Sequence, residues 1–133
     1  MANALYPKAK EDFLAGNLNL SSNTITIALI DTALYTFSTA HEDRADIANS
    51  AVITTANLAN KTITSGVFDA DDATFTAVSG ANCEALIIFH NTGTQGTSRL
   101  IAYIDTATGL PILPNGGDII VRFSSGADKI FAL

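Results

Sequence analysis

The chain has 133 residues, room for one domain that buries a core without help from disulfides or metals. Its charged fraction of 15% is low against the usual quarter, and a net charge of -6 with only seven Lys and Arg excludes the clustered basic surface needed to grip nucleic acid or anionic lipid. The single cysteine, Cys83, excludes an internal disulfide and reads as a small buried hydrophobe.

In chain order, Asn3 is positioned to cap a helix over about 4–15, with Pro7 in its first turn and Gly16 as its stop. Leu5, Ala9 and Phe13 share one face of that helix with Leu14 beside it, while Lys8, Lys10 and Glu11 lie outside, the pattern of a short docking helix. The N-terminus carries no basic segment followed by an apolar run, so no secretory signal is expected; nor does any apolar stretch reach membrane-spanning length.

TITIALID, residues 24–31, alternates Ile25, Ile27 and Leu29 against Thr24, Thr26 and Ala28, which predicts a half-buried strand. Residues 35–50 lose this period, and Glu42 to Ala48 is expected as a helical turn after Ser38 and Thr39. Strands follow at 51–56, 61–65 and 73–78.

The most apolar stretch is 83–105, CEALIIFHNTGTQGTSRLIAYID, which reads as two core strands joined by a turn with Gly93 and Gly96 available for positive φ. Ala85, Ile87 and Phe89 alternate with Leu86 and Ile88, so both faces of the first strand are apolar and it belongs in the centre. Residues 107–117 hold Pro111, Pro114 and three glycines and are expected as a loop. Strands at 118–123 and 129–133 close the chain.

Seven or eight strands, one N-terminal helix and no βαβ alternation predict a single antiparallel β-sandwich or flattened barrel spanning residues 1–133.

Chemistry is sparse along this chain. Asp69, Asp71 and Asp72 in FDADDATF offer three close carboxylates, a weak Ca²⁺ candidate, but the run lacks the glycine and distal Glu of an EF-hand loop and reads as a solvated turn. His41 with Glu42, Asp43 and Asp46 lacks the second histidine of a zincin, and His90 is too distant in sequence to complete a zinc site. No G-x-S-x-G elbow or phosphate-loop spacing is present, so no catalytic residue, metal or cofactor is assigned. Arg99 and Arg122 are expected to pair with carboxylates such as Asp105 or Glu84.

Two stretches, ALYPKAKEDFLAGNLNLSSNTITIALIDTALYTF and SRLIAYIDTATGLPILPNGGDIIVRFSSGADKIFAL, together resemble small structural proteins of tailed bacteriophages. The matching features are a first strand ending at Ala28 to Asp31, the turn Phe68 to Asp72, the strand Leu100 to Asp105, the loop Gly109 to Gly117 and the end Ile130 to Leu133. They are turns and strand ends, and they carry no catalytic residue with them. The resemblance implies a non-enzymatic virion component made in the host cytoplasm, a capsid decoration (cement) protein that binds the major capsid protein, with a tail, adaptor or fibre module as the alternative. Other virion proteins, and further copies of the chain, are the implied partners; nucleic acid and membrane are not. Contact residues are expected at the termini and the Gly/Pro loop, at Leu5, Phe13, Pro111, Pro114, Phe131 and Leu133.

Overall fold

The structure, a computed structural model, describes residues 3–107, 109–123, 126 and 129–132. Its centre is a five-stranded antiparallel sheet made of β1 (Ala4–Leu5), β2 (Ile25–Ile30), β3 (Val52–Asn57), β7 (Ala85–His90) and β8 (Leu100–Ile104), in the order β1-β8-β7-β2-β3. Two smaller antiparallel sheets complete the sandwich. One is β10-β5-β4, with β4 (Thr62–Thr64), β5 (Val67–Asp69) and β10 (Phe131–Ala132); the other pairs β6 (Ala73–Phe75) with β9 (Ile119–Val121). The one α-helix among the described residues, α1, is Pro7–Ala15.

The hairpin expected at 83–105 forms, and its first strand is the middle strand of the main sheet. Register explains why both of its faces are apolar. Ile87 lies opposite Ala28 and Tyr103 on one face, and Ile88 lies opposite Ile27 and Ala102 on the other. The Tyr103 face is covered by the irregular segment 32–51, with the rings of Phe37 and Tyr35 centred 5.1 and 6.3 Å from that of Tyr103. The Ile88 face looks toward the small sheets: Leu86 lines a cleft with Ile112 and Val121, and Leu5 and Ala102 line another with Ile130 and Phe131. Covering on both sides also buries all of β2, where alternation alone predicts half-burial. Its one inward hydroxyl, on Thr26, donates to Asn57 Oδ1 at 2.7 Å, so no polar group there is left unpaired.

Ten strands are present among the described residues, against the seven or eight that the sequence suggests. The first addition is β1, where a helix is expected from residue 4. A residue preceding proline is sterically pushed out of the α region, and Tyr6 accordingly sits at φ -69°, ψ 134°, so the helix starts only at Pro7. Asn3 caps no helix. Its Oδ1 accepts the amides of Asp105 and Thr106, both at 2.9 Å, and its Nδ2 donates to Thr106 O, which fastens the N-terminus to the end of β8. The second addition is β5, whose Phe68 and Asp69 fall in the stretch read as a turn. Ser65 and Gly66, at φ 53° and 78°, make the two-residue reversal that lays Val67 against Thr64.

At its C-terminus α1 ends as expected on Gly16, at φ 78°. The Gly16 amide donates to Phe13 O and that of Asn17 to Asp12 O, a Schellman motif that satisfies two of the last helical carbonyls. Ala9 is fully buried, but Leu14, expected beside the buried face, points into solvent. The helical turn expected at 42–48 is a short 3-10 turn, Arg44–Asp46, capped by Asp43 rather than by Ser38 or Thr39.

This segment also closes an edge. Unpaired strand edges invite other chains, and the outer edge of β8 is shared between two pieces of chain. Tyr6 N–H donates to Ile101 O, while Arg44 N–H donates to Ser98 O and Leu100 N–H to Glu42 O. Arg99 locks the two pieces together, with its guanidinium on Asp12 of α1 and, at 3.2 Å, on Asp43. These carboxylates replace the Asp105 or Glu84 expected from sequence, because α1 and the 42–44 segment, distant in sequence, both run along that edge. Burial raises the Asp43 carboxyl above its ordinary range, against the opposing pull of Arg99. Replacing Arg99 by Ala leaves two partly buried carboxylates facing each other, and the variant is expected to lose about 2 kcal/mol in urea denaturation. A midpoint unchanged from wild type would show that the cross-link contributes nothing.

Candidate interaction surfaces

Polar side chains of the 35–46 segment are engaged in contacts within the fold. Tyr6 hydroxyl is 2.8 Å from that of Tyr35, which is in turn 2.8 Å from His41 Nδ1, and burial raises both tyrosine pKa values. Asp46 Oδ2 accepts the amides of Glu42 and Asp43, which lowers its carboxyl pKa. The histidine and acids of this segment therefore brace a loop. Cys83 is fully buried, and burial pushes its thiol pKa up.

The three carboxylates of FDADD part company in the fold. Asp69, inside β5, reaches Lys129 Nζ at 3.6 Å; Asp71 accepts from the Asn60 side chain; Asp72 accepts the Phe123 amide at 3.0 Å. Among the described residues no group of three His, Cys, Asp or Glu side chains is placed to hold a metal. Adding excess EDTA is therefore expected to leave the melting temperature unchanged. A large drop reversed by Ca²⁺ would show native-state metal binding at these residues.

Among the described residues, apolar side chains gather at the surface in two places. The first is a groove beside the end of α1, about 390 Å³, walled by Phe13, Leu18, Leu20, Ile63, Phe68 and Phe131. Its aromatic wall is contiguous, with ring centroids 6.3 Å apart for Phe13 and Phe131 and 5.4 Å for Phe68 and Phe131. Beside it Leu14 is 90% exposed, and Ile63 on β4 is 52% exposed.

The second is the Gly/Pro loop. Ile112 exchanges both backbone hydrogen bonds with Cys83, each 2.8 Å, and further along Val78 bonds through its amide to Gly117 O and through its carbonyl to the Gly116 amide. Held at both points, the loop presents Leu113, 71% exposed, between an exposed Pro111 and a half-buried Pro114; Ile120, 48% exposed, is on the following strand.

Of the residues expected at contacts, the fold brings Phe13 and Phe131 into one groove, and Leu5, half-buried in β1, lines a neighbouring cleft with Phe131. Pro111 and Pro114 belong to the separate loop surface, and Leu133 lies outside the described residues. Leu14 and Ile63 were not legible as surface residues, since each sits in a pattern that favours burial, and Leu113 carries only the local sign of its two bracketing prolines; Ile120 falls outward in the alternation of 118–123, which turns Ile119, Val121 and Phe123 inward, and it is exposed.

The chain is thus a mainly β, antiparallel sandwich with one N-terminal helix and two apolar surface regions. A scan against protein-family models and a search of curated proteins find no match to it.

Proposed function

We propose that this chain is a non-enzymatic structural protein of a tailed-phage virion, a capsid decoration protein that docks on the major capsid protein. The observation that carries the binding role is the loop at 110–117: its backbone is tied to Cys83 and Val78 while Leu113 is held out in water. A preorganised apolar tip loses little entropy on docking, and it is set in an uncharged stretch, as the centres of protein interfaces are. The assignment to a virion rests on the resemblance of the two end stretches to phage structural proteins.

Quantitative mass spectrometry of virions that carry the protein tests this reading. A copy number comparable to that of the major capsid protein supports capsid decoration. A copy number typical of tail components moves the protein to the tail or fibre, and absence from purified particles overturns the virion role. Leu113→Asp is expected to reduce incorporation strongly, by roughly 2 kcal/mol of binding, without lowering the melting temperature, because Leu113 contributes little to the core.

A further inference from the structure

We propose that the recess between the end of β8 and the 32–37 segment binds an organic cation, a guanidinium or ammonium head on a short apolar stem. The site is separate from the two apolar surfaces and does not rest on the virion reading.

The recess has a volume of about 310 Å³ and is lined by Thr32, Tyr35, Thr36, Phe37, Tyr103 and Asp105. Tyr103 is the telling residue. It is only 3% exposed and its ring packs against those of Tyr35 and Phe37, yet its hydroxyl has no hydrogen-bond partner among the described residues. The other two tyrosines, Tyr6 and Tyr35, pair their hydroxyls with each other and with His41. Among the described residues the enclosed side-chain polar atom that lacks a partner is Glu84 Oε2, so the Tyr103 hydroxyl is not sealed in the core and opens on the recess. A phenol placed this way keeps its acceptor and donor for a ligand.

Charge selects the ligand. Burial, then the negative charges of Asp105 and Glu84, raise the Tyr103 pKa, so two acids lie within electrostatic reach of this hydroxyl. No Lys or Arg is among the described residues that line the recess. The Thr106 hydroxyl donates to Asp105 Oδ1 at 3.0 Å, and because a carboxylate has about four acceptor sites, Asp105 can still receive N–H donors. An anion here would be repelled by both acids, and a neutral polyol would leave their charge uncompensated. An organic cation meets a carboxylate for its charge, hydroxyl oxygens of Tyr103, Thr32 and Thr36 for its N–H groups, and aromatic rings for its stem. The net charge of -6 draws cations toward this chain as well.

Titration of the isotope-labelled full chain with butylguanidinium, followed by NMR, tests the site. Progressive shifts are expected at the amides of Thr36, Phe37, Tyr103 and Asp105. Butylurea, of the same shape without the charge, is expected to bind at least about tenfold more weakly. Tyr103→Phe and Asp105→Asn should each weaken butylguanidinium about tenfold, the effect of losing one hydrogen bond to a charged group. Tyr103→Phe should also melt like wild type, because the hydroxyl it removes bonds no described residue, so lost binding is distinguished from lost folding. A blocked arginine amide separates the sources of the cation. Binding as tight as that of butylguanidinium supports the site as a receptor for a partner protein's side chain, and exclusion of the bulkier amide supports it as a site for a small free cation. No shift at these amides, butylurea bound as tightly as butylguanidinium, or a Tyr103→Phe chain that binds unchanged would each overturn the proposal.

Discussion

Ile87→Asp is expected to abolish cooperative folding. Ile87 is fully buried in the middle strand of the main sheet, opposite Ala28 and Tyr103, on the face closed by Phe37 and Tyr35. No cation is among those neighbours. An unpaired carboxylate there either stays ionised at a prohibitive desolvation cost or takes up a proton, and both routes cost several kcal/mol. Because whole domains are stable by only about 5–15 kcal/mol, the variant is expected in inclusion bodies or, if soluble, without a sigmoidal thermal transition. Melting like that of wild type would remove this strand from the core.

Tyr6→Ala should have the next largest effect, and it bears on what the N-terminal segment does. The sequence suggests a docking helix whose removal, with residues 1–16, weakens assembly more than it weakens the monomer. The structure argues against that separation. Tyr6 is fully buried, its ring is 4.9 Å from that of Phe37, its hydroxyl bonds Tyr35, and its amide pairs with the edge of β8. Truncating it to Ala is expected to cost about 3–5 kcal/mol in urea denaturation, as large aromatic deletions in packed cores do. Tyr6→Phe keeps the packing and loses one hydrogen bond, for about 1 kcal/mol. If both variants unfold at the wild-type midpoint, the segment is an appendage after all. Otherwise assembly through this end is better probed at Leu14, whose side chain lies outside the core.

Local pattern alone determined most of the elements. Apolar runs bounded by Gly, Asn and Pro located the strands to within a few residues, and the two-faced run at Ala85 to Phe89 identified the central strand, because only a strand covered on both sides tolerates apolar residues at every position. Gly16 was legible as a helix stop, since a left-handed C-cap favours a residue without Cβ. The helix start is also locally encoded, because Pro7 bars Tyr6 from the α region and so places the first helical residue at Pro7 rather than near residue 4.

What only the tertiary structure decided were the meetings between residues distant along the chain. Arg99 found Asp12 and Asp43 because α1 and the 42–44 segment share one sheet edge; the acids of FDADD were dispersed because β5 pairs on both sides; and Phe13 met Phe131 because the two ends of the chain converge. Exposure of Leu14 and Ile63 belongs to the same class. An apolar side chain carries no mark of whether a neighbour will cover it, so whether it ends as core or as binding surface depends on where the other strands leave room.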